Sequence, residues 1–275
     1  MISDPIGDVG TLPTSFLSTL HASARLGLFL FSCVVITVIL VPMLTLKLET
    51  APVRRAYFRT MARVLGLKVI VHGKQANDRP LLIVCNHISY LDVVALGAHC
   101  DGEFIARGDL ADWPVFGFLA KLGSTIFIDR RRQSTGEARD QIQDRLEHGR
   151  ALIMFPESTS GDGNHPLPFK SALFTVAERV VADRAVTVQP ASIAYTRMNG
   201  LPIGVGWRPY YAWYGDMTLP PHLWQVLKLG VTTIEVAFHD PVAPADFAGR
   251  KALAAHCARV SADGFSRMLS GRGSA

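Results

Sequence analysis

The chain has 275 residues, enough for one large core with a small appendage. Only 19% of the residues are charged, below the roughly 25% usual for soluble domains, which points to contact with a membrane. A net charge of +5 favours anionic partners such as lipid headgroups or phosphates. Nucleic acid is not expected as a partner, because RNP, zinc-finger and helix-turn-helix signatures are missing. The four cysteines lack CxxC spacing, which favours reduced, structural thiols in a cytoplasm-facing protein.

A long apolar run follows a polar N-terminal segment, residues 1–20. No residue between Arg25 and Lys47 is charged. As a helix, residues 26–46 would reach roughly 32 Å, against about 30 Å for the hydrocarbon core of a bilayer. Pro42 permits a kink, so a spanning helix and a re-entrant helix both stay open. A cleaved signal peptide is disfavoured, because acidic residues precede the run and no small-residue cleavage site follows it.

A basic stretch comes next. Six Lys and Arg residues lie between positions 47 and 68, with Glu49 as the only acid among them. By the positive-inside rule, the bulk of the protein is expected on the cytoplasmic face. Residues 51–67 place apolar positions between arginines, which is typical of an amphipathic helix on an anionic membrane surface; a solvated arginine face is the alternative. The two membrane-associated helices are therefore assigned to residues 21–67.

From residue 68 to residue 275, buried-looking strands alternate with helices. This alternation predicts an α/β domain with a largely parallel central sheet. The predicted strands cover 68–72, 81–85, 103–106, 125–128, 152–155, 186–189, 192–195 and 232–238. The predicted helices cover 89–98, 114–121, 135–148, 171–182, 221–228 and 245–269. Sites in such sheets form where the strands end, so the residues after 85 and after 155 are expected on one rim.

The first chemically suggestive stretch follows strand 81–85. Asn86-His87 ends the strand, and Asp92 stands five positions after the histidine. On one continuous helix, positions i and i+5 lie about 140° apart and do not meet. They meet if His87 lies on a loop and a helix begins at Ser89, where Ser-Tyr-Leu-Asp has the form of a capping box. The pair would then be a base and its orienter; the alternative is a capping carboxylate beside a loop histidine.

A second strand, 152–155, also ends in a polar loop. Glu157 is placed to accept hydrogen bonds from hydroxyls. The run from Ser158 to Gly163 offers small side chains and backbone N–H groups that could receive a headgroup. An ordinary surface loop would have the same composition. Lys170 adds a cation farther along.

Two other strand ends carry arginines. Arg107 follows strand 103–106, and Arg130 is the first of three arginines after strand 125–128. Arginine so placed can hold a phosphate with two parallel hydrogen bonds, although a solvated charge run is the alternative. The G-x-S-x-G, Walker A, H-E-x-x-H and G-x-G-x-x-G motifs are missing, and no paired spacing of metal ligands is seen. Cys85 ends a buried run, so it is expected in the core rather than as a nucleophile.

In their order and content, these stretches resemble the motifs of the membrane-bound glycerolipid acyltransferases, the family of 1-acylglycerol-3-phosphate acyltransferases. Asn86-His87 with Asp92 matches N-H-x-x-x-x-D, and residues 123–130 match the second motif. Residues 155–159 match F-P-E-G-T except at the glycine, and residues 188–193 look like the fourth motif. The family's N-terminal membrane helices match residues 26–66.

The resemblance implies an O-acyltransferase that needs no cofactor and no metal. His87 would act as general base on an acceptor hydroxyl, and Asp92 would fix its tautomer. The donor would be a thioester of coenzyme A or acyl carrier protein, and the acceptor a lysophospholipid in a bacterial inner membrane. The residues expected to bind substrate are Asn86, Arg107, Arg130, Glu157, Ser158, Thr159, Ser160 and Lys170.

Two departures from the family bear on the acceptor. Ser158 replaces the family's glycine, so the loop must accommodate a Cβ. Ser160 stands where many lysophosphatidate-specific members have an arginine that contacts phosphate. The pattern from Ser160 to Lys170 looks like relatives that acylate lyso-ornithine lipid. Lysophosphatidate is the first expected acceptor and lyso-ornithine lipid the second, while a membrane-tethered hydrolase and a non-catalytic lipid-binding protein are the alternatives from other classes.

Overall fold

The computed structural model describes residues 15–113, 116–128, 136–181 and 183–272. The helices are α1 (Phe16–Thr45), α2 (Ala51–Val64), α3 (Leu91–His99), α4 (Phe116–Leu122), α5 (Gly136–Glu147), α6 (Leu219–Lys228) and α7 (Arg250–Leu269). The strands are β1 (Leu67–His72), β2 (Leu81–Cys85), β3 (Glu103–Arg107), β4 (Ile126–Ile128), β5 (Leu152–Met154), β6 (Val180–Val181), β7 (Arg184–Ala185), β8 (Thr187–Met198), β9 (Leu201–Pro202) and β10 (Thr232–Phe238). Short 3-10 helices cover Gly108–Asp112, Ser171–Val176, Arg208–Tyr210 and Pro244–Asp246.

The central sheet has the strand order β1-β10-β8-β2-β5-β3-β4, and β9 extends it at the end of β8. All neighbours on this path pair in parallel except β10 with β8. The predicted α/β architecture with a largely parallel sheet is confirmed. Val84 of β2 lies opposite Met154 of β5 and Pro190 of β8, so β2 and β5 end side by side while β8 runs on to Met198. The loops after Cys85 and after Met154 therefore leave the sheet at the same rim.

The core lies on both faces of the sheet. Leu81, Ile83 and Cys85 belong to a cluster with residues of α1, α2, α3 and α6. Leu82 and Val84 belong to a second cluster with residues of α5 and α7. Successive side chains of a strand point to opposite faces, so β2 is covered on both sides and all five of its residues are buried. This explains the continuous apolar run in place of an alternating pattern.

Helix α1 packs along the domain instead of projecting from it. It contacts α2, α4 and α6, and its buried residues are Ala22, Phe29, Cys33, Ile36 and Leu40. Arg25 donates from Nη1 to the carbonyl of Leu229 at 2.9 Å. The remaining surface of the helix exposes large apolar side chains, among them Phe16, Leu20, Phe31, Val34 and Val38. By length and composition alone, α1 is able to cross a membrane.

The beginning of α1 differs from the sequence prediction. The helix starts at Phe16, within the segment assigned from the sequence as a polar N-terminal segment, because the Ser15 hydroxyl accepts from the Ser18 N–H at 3.1 Å as an N-cap. It then runs through Pro42 to Thr45 as one helix.

The predicted helix at 171–182 is wrong. The chain instead forms the short 3-10 helix Ser171–Val176 and then the small antiparallel hairpin of β6 and β7. Phe174 and Val176 are both buried, a spacing of two that an α-helix does not place on one face. The β-branched valines that follow fit a strand better than a helix.

Two predicted strands, 186–189 and 192–195, form the single strand β8. Pro190 stands inside it without ending it, because its carbonyl still accepts from the His239 N–H at 3.0 Å. The other predicted strands and helices are present, with ends shifted by a few residues.

Candidate active site

His87 and Asp92 meet at the junction between β2 and α3. His87 Nδ1 lies 2.9 Å from Asp92 Oδ2. The same oxygen accepts from the backbone N–H groups of Ile88 at 2.7 Å and Ser89 at 2.9 Å. The Tyr195 hydroxyl donates to the other oxygen, Oδ1, at 2.7 Å. Asp92 is fully buried, so these four contacts hold both the carboxylate and the imidazole in one orientation.

The capping box predicted at Ser89 forms only in part. The Ser89 N–H does bond to the Asp92 side chain, but the Asp92 N–H donates to the Ser89 carbonyl at 2.9 Å and not to its hydroxyl. Helix α3 accordingly begins at Leu91, with Tyr90 as its N-cap. The result for the site is the expected one, since His87 stays on the loop and Asp92 stands in the first helical turn.

The imidazole of His87 is also held from its face. It stacks on Phe155 with ring centroids 4.1 Å apart and planes 19° apart. Phe155 in turn stacks on Phe104 at 6.2 Å. The side chain of His87 remains 19% exposed. With Nδ1 directed at Asp92, Nε2 is the ring nitrogen available to a substrate hydroxyl.

Glu157 lies at the end of β5 on the same rim. It is 1% exposed, and its Oε1 accepts from the Leu167 N–H at 3.0 Å. Burial raises the pKa of Glu157 to about 8; the backbone N–H groups of Leu167 and His87 oppose the rise, and the negative charge of Asp92 adds to it. At neutral pH this carboxyl is therefore mostly protonated and is able to donate a hydrogen bond.

The loop after Glu157 is tied to the His87 loop. The Gly161 N–H donates to the carbonyl of His87 at 3.2 Å. The Ser160 hydroxyl donates to the carbonyl of Trp213. Ser158 has φ 66°, in the left-handed region where the family's glycine would sit without strain. The serine thus keeps the backbone turn of the motif at the cost of a Cβ in an unfavourable conformation.

The other predicted site residues are less close to the pair. The amide of Asn86 is 1% exposed and bonds to both backbone groups of Ile193, which ties β2 to β8. Arg107 stands on the rim, and its guanidinium makes two bonds to Asp109 at 3.0 and 2.7 Å. Thr159 and Lys170 are exposed at the surface of the loop. Arg130 lies outside the described residues.

Three contributing residues were not found from the sequence. Tyr195 carried a usable signal, since a tyrosine inside a buried strand needs a partner for its hydroxyl. The backbone N–H of Trp213 donates to the carbonyl of Ile88 at 3.0 Å and so supports the His87 loop. Arg208 donates from Nη1 to Asn164 Oδ1 at 3.2 Å. Both come from a segment without a motif, which only the fold brings to the site.

The arrangement can perform base catalysis without an enzyme nucleophile. Cys85, the nearest thiol in sequence, is fully buried, and burial raises its pKa well above the usual range. The groups that remain are a histidine base with a fixed tautomer and a buried, neutral carboxyl. Such a site can activate a hydroxyl of the substrate, or a water, for direct attack on a carbonyl.

Comparison with known proteins adds three relatives and one family. A family model described as "Acyltransferase" matches residues 68–194. The chain is 40% identical over 239 residues to the lyso-ornithine lipid O-acyltransferase of Brucella abortus (strain 2308), covering 84% of this chain and 90% of that protein. It is 37% identical over 248 residues to the protein of the same name from Rhizobium meliloti (strain 1021), covering 87% and 84%. The 1-acyl-sn-glycerol-3-phosphate acyltransferase of Neisseria gonorrhoeae is 32% identical over 177 residues, covering 63% and 64%.

The fold has a counterpart among solved structures. The crystal structure of PlsC, the 1-acyl-sn-glycerophosphate acyltransferase of Thermotoga maritima, matches with a TM-score of 0.62 at 20% identity. The match covers 94% of this chain and 97% of that one, so the two proteins share the architecture of the N-terminal helices as well as that of the α/β domain.

Proposed function

This chain belongs to the acyltransferase family, and we propose that it transfers a fatty acyl group from a thioester to the free hydroxyl of lyso-ornithine lipid. The observation that carries the reaction is the His87–Asp92 pair, in which the aspartate is buried and the histidine, bonded through Nδ1, has a side chain that is 19% exposed on the rim of the sheet. The acceptor is supported by the relatives of that name at 40% and 37% identity, and by Ser160 in place of a phosphate-binding arginine. Lysophosphatidate, the acceptor placed first from the sequence, is the second candidate, on the strength of the 32% identical relative.

The geometry supplies each proton step. His87 Nε2 takes the proton of the acceptor hydroxyl as the oxygen attacks the thioester carbonyl. Asp92 stabilises the imidazolium that forms, and its four fixed contacts keep Nδ1 as the nitrogen that faces it. The tetrahedral intermediate then expels the thiolate, which receives the proton from His87. An ester and a free thiol leave, and the enzyme returns to its initial state.

The rim loop would bind the acceptor. Glu157, protonated at neutral pH, is able to donate to an oxygen of the substrate from a dry environment. Ser158, Thr159 and Ser160 line the loop that follows it. Arg107, Arg130 and Lys170 remain candidate cations for the headgroup or the donor. The donor itself would be acyl-CoA or acyl carrier protein.

Membrane association agrees with the exposed apolar surface of α1 and with relatives named for membrane lipids. Helix α1 packs on the domain from Ala22 to Leu40, a rise of about 27 Å. A perpendicular span would draw that side of the domain into hydrocarbon, which cannot satisfy its polar groups. The orientation we favour places α1 in the plane of the interface, with the α/β domain on the cytoplasmic face.

Thiol release provides the test. Purified protein receives acyl-CoA or acyl carrier protein thioester together with each lyso-lipid, and the acylated lipid is identified by mass spectrometry. His87→Ala should lower thiol release by at least about a hundredfold. The matched control is His148→Ala, because His148 also lies beside an aspartate, Asp144, but both side chains are exposed and His148 follows the end of α5. Unchanged release in His87→Ala overturns the general base, release without lipid indicates a hydrolase, and no release with any lipid indicates a binding protein.

A further inference from the structure

Opposite charges lie side by side next to the catalytic loop without pairing. Asp162 Oδ1 accepts from the Asn164 N–H at 2.9 Å, and Asp162 Oδ2 accepts from Asn164 Nδ2 at 3.0 Å. On its other side, Asn164 accepts from Arg208 Nη1 at 3.2 Å through Oδ1. Within the described part of the chain, the ion pairs join neither Asp162 nor Arg208. The amide of Asn164 therefore bridges the two charges and holds them apart.

This group, which we call the Asp162–Asn164–Arg208 triplet, lies close to the base. A Cβ built on Gly163 would stand 3.4 Å from Arg208 Cβ and 3.4 Å from Ile88 Cγ2. The stem of Arg208 and the side chain of Ile88, the residue that follows His87, thus both lie beside Gly163. Gly163 has φ 82° and can hold this turn because it has no side chain. The loop that carries the triplet is also joined to the His87 loop, because the Gly161 N–H donates to the carbonyl of His87 at 3.2 Å, so a ligand held by the triplet would lie next to the loop that carries the base.

Both charges keep bonding capacity. Asp162 is part-buried; burial raises its pKa, but the bonds from Asn164 and the nearby His165 outweigh burial, so its pKa lies below the usual value. Burial lowers the pKa of Arg208 and the charge of Asp162 opposes this, yet a guanidinium stays protonated in proteins. Arg208 Nε is buried and has no hydrogen-bond partner among the residues described. A carboxylate and a guanidinium in this state suit a ligand that carries both opposite charges.

We propose that the triplet is the headgroup site for a zwitterionic acceptor, with Arg208 binding its carboxylate and Asp162 binding its ammonium group. This inference rests on the proposed function, which names lyso-ornithine lipid as the acceptor. The ornithine headgroup carries one carboxylate and one ammonium, and the free hydroxyl of the lipid lies only a few bonds from the carboxylate. Lysophosphatidate has no cation for Asp162 and presents it with a like charge, so the triplet selects against it.

The experiment crosses enzyme variants with substrate analogues. The variants are Asp162→Asn, which keeps an oxygen for the Asn164 N–H, and Arg208→Gln. The acceptors are lyso-ornithine lipid, its N-acetylated form, its methyl ester, and lysophosphatidate. The readout is kcat/KM for thiol release. Arg197→Gln serves as the matched control, because Arg197 is exposed and bonds only to the Gly200 carbonyl at 3.4 Å among the described residues.

We expect Asp162→Asn to lower kcat/KM for lyso-ornithine lipid about tenfold and to leave lysophosphatidate unchanged or improved. Acetylation of the substrate's amine should lower kcat/KM of the wild type by a similar factor and should not lower kcat/KM of Asp162→Asn any further. The methyl ester should behave in the same way toward Arg208→Gln. Full additivity between variant and analogue would overturn the inference, because the residues would then act through loop structure and not through the headgroup.

The remaining outcomes distinguish failure of the headgroup site from failure of the proposed function. If the wild type acylates lyso-ornithine lipid and both variants match Arg197→Gln, the triplet is not the headgroup site and the function stands. If the wild type acylates only lysophosphatidate, the acceptor assignment fails and the inference fails with it. If no lyso-lipid supports thiol release, the proposed function itself is overturned.

Discussion

Buried carboxylates lie at both ends of the parallel strands of the central sheet, and they differ in what surrounds them. The side where these strands begin is called the amino edge, and the side where they end, the rim that carries His87, is called the carboxyl edge. At the amino edge, Glu103 at the start of β3 is 2% exposed and lies 3.3 Å from both Arg54 and Arg145. At the carboxyl edge, Asp92 meets His87 and neutral donors. Glu157 has no cation within 4.0 Å in the part of the chain described.

The difference separates a structural site from a chemical one. Arginine is charged at every accessible pH, so Glu103 faces two permanent positive charges. Histidine is a residue type that can serve as a general base, and a carboxyl without a cation keeps its proton to about pH 8 in the case of Glu157. The carboxyl edge therefore holds groups that are able to exchange a proton with a substrate, whereas the amino edge pairs its carboxylate with arginines. Substitutions at the carboxyl edge should alter the rate of the reaction, and substitutions at the amino edge should alter the stability of the fold.

The largest effect is expected from Asp92→Asn. An amide at this position offers an N–H to backbone N–H groups and no longer fixes the His87 tautomer, so kcat should fall by about a thousandfold or more. The fold should persist, since the shape of the side chain is kept. Asp144→Asn, on the exposed surface of α5, is the matched control and should keep full activity. Retention of more than a tenth of the wild-type kcat in Asp92→Asn would contradict the orienter role.

Glu103→Gln should lower the stability of the fold and leave the activity unchanged, the converse of Asp92→Asn. It leaves Arg54 buried without its counter-charge, which is expected to lower the free energy of unfolding by about 3 kcal/mol. In thermal unfolding this corresponds to a Tm about 8 °C lower. Activity per folded molecule should stay unchanged. Glu49→Gln removes an exposed pair with Arg150 and should cost less than about 1 kcal/mol; equal losses in the two variants would show that burial does not distinguish the pairs.

Glu157→Gln should change how stability depends on pH. The pKa of Glu157 rises from 4.5 to about 8 on folding, so between these values the folded state binds a proton that the unfolded state has lost. The stability of the wild type therefore falls as pH rises through this window, by up to about 1.4 kcal/mol per unit from this group. Glutamine does not titrate.

The variant should accordingly gain about 2–3 kcal/mol relative to wild type between pH 6 and pH 8. The measurement is Tm against pH for both proteins. Asp144→Asn, an exposed acid, provides the control slope. Parallel curves for wild type and Glu157→Gln would show that Glu157 is ionised at neutral pH and would remove its role as a hydrogen-bond donor.

Contacts between residues close in the chain or at strand ends could be predicted from the sequence, whereas contacts between distant segments could not. The rim was predictable, because β2 and β5 are apolar runs that stop at polar residues, and parallel strands bring such ends together. The His87–Asp92 contact was predicted on the condition that a loop precedes a helix beginning at Ser89, and the structure has the loop with α3 beginning at Leu91. The Glu103 cluster did not, since its arginines come from α2 and α5, far apart in the chain. The same holds for Arg208, whose placement depends on how the segment after β9 folds back.

The smallest effect is expected from a change at Tyr195, which contacts the proposed catalytic pair through Asp92. Burial raises the pKa of Tyr195 well above its ordinary value, so its hydroxyl stays a donor. Tyr195→Phe removes the 2.7 Å bond to Asp92 Oδ1 and leaves that oxygen buried without a replacement. A bond to a charged group contributes about 1.5 kcal/mol, which predicts a roughly tenfold lower kcat with KM unchanged.

The pH profile of kcat should also shift in Tyr195→Phe, since the carboxylate proposed to stabilise the imidazolium has lost a partner. Tyr57→Phe, which removes a part-buried hydroxyl beside Cys33 of α1, is the control and should leave the pH profile in place. A lower Tm with an unmoved pH profile in Tyr195→Phe would reduce Tyr195 to a packing residue of β8.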